Sequence, residues 1–267
     1  MESITQPPAP SLSIKELRAR CQSTAPAPER ETFTGKRARF FSIYFTKLFL
    51  LTSITPNQIT AISVMVFFIG VGLFLTLDRT WSIVGALLVF FATVLDGCDG
   101  EVARFRETRS LVGGVYAEPV SHDFQYGFMF LPLGLAATWM TGSEWFMVAG
   151  FLASVSKLVT RLLETRFWAL SQPTPLTPEQ RQELRQKFLA RPSYLRFASW
   201  LKRNIFSSNG MILPLLVVAI GEWLPWYVAF YGASYTGFLA LTFFRQLRRL
   251  QTLRVETAAP PVAGSAD

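Results

Sequence analysis

Acidic side chains and the only histidine of the chain occur together in the stretch "LDGCDGEVARFRETRSLVGGVYAEPVSHD", between long apolar segments. Its candidates for chemistry are Asp96, Asp99, Glu118 and His122. Ionised side chains are costly in apolar surroundings, and where they occur there they usually serve a function. Because carboxylates in a cavity of low dielectric repel one another, a cation between them is the natural way to hold them together. We therefore predict a divalent metal site.

The first two acids share one side of a predicted helix. With a rotation of about 100° per residue, Asp96 and Asp99 lie on one face of that helix. Gly100 and Ala103 share this face and leave room for a ligand or for close contact with another helix. Glu101 points away from the face, so we expect its substitution to have little effect.

The third acid and the histidine share a face of the next predicted helix. Glu118 and His122 are four residues apart, as are Gly114 and Glu118, whereas Asp123 lies roughly opposite Glu118. If the two helical faces meet at one depth, three acids and an imidazole converge. Carboxylate oxygens favour Mg²⁺, or Mn²⁺ if the imidazole also binds.

A purely structural role is the alternative for these acids. Buried carboxylates can pair with cations and thereby join helices without any catalytic function. The cations available for such pairs are Arg104, Lys157 and Arg161.

The surrounding segments indicate an all-α integral membrane protein. Half of the 267 residues are hydrophobic and only 16% are charged. About 20 apolar residues are needed to cross a bilayer as a helix. We predict six transmembrane helices, near residues 57–77, 81–103, 112–140, 144–165, 207–222 and 225–244. The fifth is short, and its start within "YLRFASWLKRNIF" stays open.

Basic residues predict the orientation of these spans. Lys and Arg cluster in four segments, which lie before span one and after spans two, four and six. They are sparse in the turns 77–80, 141–144 and 221–225. Because cytoplasmic loops carry an excess of Lys and Arg, both termini and the acidic site are expected to face the cytosol, with a bacterial inner membrane as the location. The net charge of +8 then reflects this asymmetry and attraction to the lipid bilayer, so no nucleic acid partner is expected.

The flanking segments have simpler assignments. Residues 1–36 are polar and Pro-rich, which predicts a mobile cytosolic tail, with a capping-box signal at Ser13 for one short helix. Residues 37–53 mix aromatic and basic side chains and predict an interfacial amphipathic helix. Thr177 begins a predicted cytosolic helix. The six-span domain then occupies residues 54–250, and a disordered tail occupies 251–267.

The nonamer "DGCDGEVAR", residues 96–104, resembles the opening of the signature DxxDGxxAR of the CDP-alcohol phosphotransferase (CDP-alcohol phosphatidyltransferase) family. It matches at every specified position. The segment "TPNQIT", residues 55–60, is similar to the Pro-Asn segment that commonly opens the first span in that family. Six spans preceded by an interfacial helix also resemble the family architecture, from about residue 37 to residue 250.

The second half of the signature departs from the family pattern. In the family, the signature continues with a glycine and two further aspartates. The first aspartate lies four residues after the glycine, and the second lies four residues after the first. Counting from Gly114 puts Glu118 and His122 at these two positions, whereas counting from Gly113 puts Ala117 at the first of them. We prefer Gly114, and Asp123 is the alternative to His122.

The resemblance implies a role for each matching residue. Asp96, Asp99 and Glu118 become ligands of Mg²⁺ or Mn²⁺, with two ions expected, and His122 becomes the base that deprotonates the acceptor hydroxyl. Neutral imidazole, with an ordinary pKa of about 6.5, is suited to that task. The residues implied in nucleotide binding are Asn57, Gly100, Ala103 and Arg104.

Two cations on predicted span four are candidates for binding the acceptor. Lys157 and Arg161 lie four residues apart on one helical face, at about the depth of the acids. One interpretation is local pairing with Glu164 or extension towards the headgroups. The other is an anion pocket, which favours a small polar acceptor that carries phosphate, such as inositol phosphate or glycerol phosphate.

The expected function is therefore metal-dependent transfer of a phospho-alcohol group, with phosphatidyl as first choice, from a CDP-linked lipid donor such as CDP-diacylglycerol to an acceptor hydroxyl. CMP is the second product, and the pathway is phospholipid biosynthesis. The resemblance also implies a homodimer. Two alternatives stay open: a catalytically inactive relative that keeps the fold, and a membrane transporter that uses the same carboxylates without metal.

Overall fold

The computed structural model describes residues 12–23, 31–108, 116–171 and 177–258, and every regular element in these ranges is a helix. The predicted all-α class is confirmed for this part of the chain. In chain order the helices are α1 (Ile14–Cys21), α2 (Phe33–Phe49), α3 (Pro56–Gly72), α4 (Arg79–Phe105), α5 (Glu118–Phe128), α6 (Phe130–Thr141), α7 (Trp145–Ser171), α8 (Pro178–Leu189), α9 (Ser193–Phe206), α10 (Ile212–Gly221) and α11 (Leu224–Ala258). Short 3-10 helices extend α3 (Leu73–Thr76) and precede α10 (Asn209–Met211).

Capping boxes define where several helices begin. The Thr55 side chain accepts a hydrogen bond from the backbone N–H of Gln58, and the Gln58 side chain accepts one from the N–H of Thr55. Two N–H groups that lack a helical partner are satisfied in this way. The same arrangement starts α1 at Ser13 and α8 at Thr177, which confirms both predicted helix starts.

Three helical segments are long and apolar enough to cross a membrane. They are α3 with its 3-10 extension (Pro56–Thr76), α4 (Arg79–Phe105) and most of α7 (Trp145–Leu170). A fourth is obtained if α9 and the segment Asn209–Gly221 are counted as one span, although they are bent by 85° relative to each other. The described residues therefore support a membrane protein with three to four candidate spans, and the prediction of six is not confirmed.

Two of the predicted spans differ from the structure for identifiable reasons. The span predicted at 112–140 is divided into α5 and α6 at Met129, and residues 109–115 lie outside the described ranges. Pro132 lacks the N–H that would bond to the carbonyl of Phe128, so one helical hydrogen bond is missing here, while Met129 keeps helical φ and ψ angles. The span predicted at 225–244 lies within α11, where several tyrosine, serine and threonine residues lower the hydropathy.

The open question about the fifth span is answered by α9. Residues of the segment "YLRFASWLKRNIF" form a separate helix rather than an early start of the span, and the chain turns by 85° before Asn209. The helix α9 exposes large apolar side chains, namely Tyr194, Leu195, Phe197, Trp200 and Leu201.

The pair of helices α3 and α4 is held close by two glycines. A Cβ on Gly70 would lie 2.7 Å from the carbonyl oxygen of Gly85, and a Cβ on Gly85 would meet the carbonyl oxygen of Gly70. Glycine in both positions therefore allows backbone contact between the helices, a packing mode common among membrane helices. This contact fixes α3 beside the helix that carries Asp96 and Asp99.

The segments outside the spans are more ordered than predicted. In α1, Leu17 and Cys21 are fully buried, so part of the predicted mobile tail is a docked helix. The predicted interfacial helix 37–53 corresponds to α2, which begins at Phe33. At the other end, α11 continues to Ala258, into the segment predicted to be disordered. Residues 1–11, 24–30 and 259–267 lie outside the described ranges.

We expect Gly85→Ala to lower the thermal unfolding midpoint of the detergent-solubilised protein by several degrees. The added methyl group would have to displace the backbone of α3, and overpacking of this kind costs about 1–3 kcal/mol. Gly72→Ala is the matched control, because a Cβ there meets nothing within 4 Å. An equal midpoint for both variants would contradict the glycine contact.

Candidate active site

A cavity of about 300 Å³ lies where α2, α4 and α5 meet. We call it the acid cavity, because its lining includes all the side chains that the sequence predicts for chemistry: Asp96, Asp99, Glu118 and His122. The end of α1 and the 3-10 helix before α10 complete the wall. Two predicted helical faces, from α4 and α5, therefore do meet at one depth.

The histidine contacts the first acid directly. His122 Nε2 lies 3.1 Å from Oδ1 and 3.0 Å from Oδ2 of Asp96. A carboxylate only accepts hydrogen bonds, so Nε2 carries the proton and donates it in this contact. In the neutral ring the other nitrogen, Nδ1, is then unprotonated and can accept a proton.

The second acid is held from the neighbouring helix. Thr60 Oγ1 on α3 donates a hydrogen bond to Asp99 Oδ2. Asp99 is buried, whereas Glu118, across the cavity, is exposed. Thr60 lies in the segment "TPNQIT", but nothing in the sequence indicated that its hydroxyl would orient Asp99.

Glu101 also lines the acid cavity, which its helical position did not predict, and it is almost completely buried. Its carboxylate accepts hydrogen bonds from Ser42 Oγ and Thr46 Oγ1, both at 2.6 Å, and from Gln22 Nε2 at 2.7 Å. Each hydrogen bond to a charged group contributes about 1.5–3 kcal/mol. These contacts argue against the expectation that substitution of Glu101 would have little effect.

The ligand types in the acid cavity fit a hard divalent cation, since four carboxylates, those of Asp96, Asp99, Glu101 and Glu118, line one space. Among the described residues, however, no three acidic, histidine or cysteine side chains are already close enough to hold one ion. Asp96 is turned towards His122, and Asp99 towards Thr60. Side-chain rotation within the same cavity would be needed to bring the acids around a metal.

A second cavity, of about 570 Å³, adjoins the acid cavity at His122. We call it the basic cavity, because Lys157 and Arg161 line it together with two cations that were not predicted, Lys202 of α9 and Arg245 of α11. These two residues are distant from Lys157 and Arg161 in the sequence, and nothing in the sequence distinguishes them from the other basic residues. Lys157 and Arg161 therefore line a cavity that shares the residue His122 with the acid cavity.

The two predicted cations of the basic cavity have polar or aromatic neighbours. Arg161 Nε lies 3.4 Å from Oδ1 of Asp123, rather than pairing with Glu164 as the alternative interpretation supposed. Lys157 Nζ lies 3.4 Å from the hydroxyl of Tyr235 and 4.8 Å from the centre of its ring. Asp123 lines the basic cavity but not the acid cavity, whereas His122, the other candidate for the fourth signature position, lines both.

The predicted nucleotide-binding residues are only partly brought together. Gly100 and Arg104 line the acid cavity, whereas Asn57 is exposed at the start of α3 and neither it nor Ala103 is in the lining. A Cβ on Gly100 would lie 3.1 Å from Nη1 of Arg104, so glycine gives the guanidinium its space. Gly113 and Gly114, on which the preferred register depends, lie outside the described residues.

Comparison with known proteins gives two matches. The sequence profile of CDP-alcohol phosphatidyltransferase matches residues 53–232. A protein of Archaeoglobus fulgidus named "Bifunctional IPC transferase and DIPP synthase" is 38% identical over 85 residues, which make up 32% of this chain. The matched segment covers 16% of the length of that relative.

We expect Asp99→Asn to weaken Mn²⁺ binding by the purified protein at least tenfold, because it removes a charged oxygen from the acid cavity. The free Mn²⁺ signal in electron paramagnetic resonance measures the affinity. Asp123→Asn is the control, since its carboxylate lies outside that cavity. Equal losses in the two variants would contradict a metal site at Asp99.

Proposed function

The chain belongs to the CDP-alcohol phosphatidyltransferase family, and from this premise we propose that it transfers a phospho-alcohol group from a CDP-linked donor to an acceptor hydroxyl. CMP is released in the same step. The observation that carries the proposal is the acid cavity, where residues of the nonamer "DGCDGEVAR" meet Glu118 and His122 of the next helix.

The proposed cofactor is Mg²⁺ or Mn²⁺, as two ions held by Asp96, Asp99 and Glu118. Such ions, when bound, neutralise phosphate charge and stabilise the attacking and leaving oxygens. A carboxylate offers about four lone-pair sites on its two oxygens. Asp96 could therefore hold an ion and still accept the hydrogen bond from His122.

His122 is the proposed base. Because Nε2 is directed at Asp96, the acceptor hydroxyl would give its proton to Nδ1. The hydroxyl oxygen then forms a bond to the β-phosphorus of the donor, and the bond from that phosphorus to the oxygen of CMP breaks. Asp96 stabilises the positive charge that the ring gains.

A lipid donor such as CDP-diacylglycerol is supported by a third cavity, of about 290 Å³. Its walls come from α2, α4 and α10, and α2 and α4 also border the acid cavity. The lining is apolar, with Phe41, Phe90 and Leu216 among its side chains, while Arg37 supplies the only charged group of the described lining. An acyl chain would suit the apolar walls, while its headgroup lies beside the acids.

The basic cavity supports an acceptor that itself carries phosphate, such as inositol phosphate or glycerol phosphate. Four cations line it, Lys157, Arg161, Lys202 and Arg245, against the two acids Asp123 and Glu164. Because it shares His122 with the acid cavity, an acceptor hydroxyl there would reach the base. The named activity of the Archaeoglobus relative does not decide the acceptor, since the match covers 16% of that protein.

We also propose six transmembrane spans, an interfacial α2, cytosolic termini, an active site facing the cytosol of a bacterial inner membrane, and a homodimer. Exposed tryptophans support the positions of the span ends, because aromatic residues concentrate at both membrane interfaces. Five of them flank the turns that join α3 to α4, α6 to α7 and α10 to α11: Trp81, Trp139, Trp145, Trp223 and Trp226.

A screen of acceptors tests the proposed function. Purified protein with CDP-diacylglycerol and Mg²⁺ should release CMP faster with inositol phosphate or glycerol phosphate than with free inositol or serine. Arg161→Ala should raise the KM for the phosphorylated acceptor at least tenfold while leaving the KM for the donor within twofold. An uncharged acceptor used equally well by both proteins would contradict the phosphate pocket. Absence of CMP release with every acceptor would favour an inactive relative or a transporter.

His122→Ala should lower kcat by about 100-fold or more, because it removes the group that accepts the proton. Donor binding and the elution profile of the variant should stay unchanged. Asp123→Asn should leave kcat within about threefold, since that side chain lies outside the acid cavity. The opposite ranking of the two variants would assign the base to Asp123.

A further inference from the structure

The helix α1 lies outside residues 53–232, which match the family profile, yet its end forms part of the acid cavity. Gln22, the C-terminal cap of α1, lines the cavity beside Arg39 of α2. The donor site of this chain therefore includes a residue from the N-terminal flank.

Gln22 connects α1 to both neighbouring helices. Its Nε2 donates to the backbone carbonyl of Arg39 at 2.9 Å and to Oε1 of Glu101 at 2.7 Å. Its Oε1 accepts a hydrogen bond from Arg18. The side-chain amide thus joins α1, α2 and α4 at one point.

Glu101 is the centre of this junction. Its carboxylate, 2% exposed, accepts from Ser42 and Thr46 of α2 in addition to Gln22. The transfer chemistry proposed above does not use this acid. Its contacts account for its burial, because a buried charge needs hydrogen-bond partners.

Arg104 is attached to the same segment. Its Nε donates a hydrogen bond to the backbone carbonyl of Cys21, the last residue of α1. Arg104 also lines the acid cavity. The position of α1 consequently sets the position of this guanidinium.

Further contacts fix α1 in place. Leu17 and Cys21 are fully buried, in a cluster with Ile43 of α2 and Phe105 of α4. The guanidinium of Arg20 lies 4.6 Å from the centre of the Phe105 ring. The helix is thus docked by apolar packing as well as by hydrogen bonds.

We propose that α1 is a wall of the donor site and that Gln22 and Glu101 are positioning residues, which hold α1 so that Arg104 is directed at a nucleotide diphosphate. The inference rests on the proposed function, since a CDP-linked donor is the ligand. The inference adds α1, which lies outside the residues that match the family profile, to the donor site.

Cys21 provides a reporter of α1 docking in the native chain. The chain has two cysteines, and both Cys21 and Cys98 are buried and unpaired. Burial raises the pKa of the Cys21 thiol to about 11. Because the thiolate is the reactive species, N-ethylmaleimide should modify Cys21 slowly while α1 is docked.

The experiment uses full-length protein in detergent, with two readouts. Mass spectrometry of the Cys21 peptide follows modification by N-ethylmaleimide, and calorimetry measures the Kd for CDP in the presence of Mg²⁺. The variants are Gln22→Ala, Glu101→Gln and Glu101→Ala. Gln186→Ala on α8 is the control, because that residue is exposed and lies outside the acid cavity.

We expect Gln22→Ala and Glu101→Ala to accelerate Cys21 modification at least tenfold and to raise the Kd for CDP at least fivefold. Glu101→Gln should have a smaller effect, since it keeps one acceptor oxygen. CDP should slow the modification of Cys21 in the wild-type protein. In turnover assays Gln22→Ala should raise the KM for the donor while kcat changes less than twofold.

Two outcomes would overturn the inference, and they are distinguishable. Faster modification of Cys21 with an unchanged Kd for CDP would mean that α1 is docked but forms no part of the donor site. No binding of CDP by the wild-type protein would overturn the proposed function together with this inference. If Glu101→Ala does not fold, Gln22→Ala decides between these results.

Discussion

Three carboxylates on one stretch of α4 each need a partner, and this constraint determines what surrounds the helix. Removing one partner from a buried charged pair destabilises a protein by about 3–5 kcal/mol, so such acids must be satisfied. Each acid obtains its partner from a different direction. Asp96 contacts His122 of α5, Asp99 accepts from Thr60 of α3, and Glu101 accepts from Ser42 and Thr46 of α2 and from Gln22 beyond α1.

The same arrangement separates two kinds of cavity. The acid cavity has the oxygen ligands that suit metal ions and the phosphates they bind, and the basic cavity has the cations that suit a second phosphate. His122 lies in the wall that both share, with Nε2 held by Asp96. His122 is therefore in reach of ligands in both cavities.

The sequence alone was sufficient to predict those features of the fold and of the site that depend on local signals. Capping boxes at Ser13 and Thr177 predicted helix starts, and helical spacing placed Asp96 and Asp99 on the face that lines the cavity. The division of one predicted span into α5 and α6 was not predicted, although Pro132, which cannot donate a helical hydrogen bond, is its physical cause. The number of spans depends on where such divisions fall, and the periodicity and hydropathy of a sequence predict their positions poorly.

Contacts between distant segments could not be predicted in this way. Helical geometry alone directed Glu101 away from the other acids and predicted that its substitution would have little effect. Its partners lie 55 to 79 residues away in sequence, so only the packing of α1 and α2 against α4 reveals its role. Lys202 reaches the basic cavity only because the chain bends by 85° after α9.

The structure of the protein with Mn²⁺ and CDP bound tests the account most directly, because the ion can be located by its anomalous scattering. The account predicts manganese ligated by carboxylate oxygens of Asp96, Asp99 and Glu118, with the diphosphate of CDP beside it and His122 still facing Asp96. Manganese bound elsewhere at saturating concentration, with Asp99 still paired with Thr60, would contradict the assignment of this cavity as the active site.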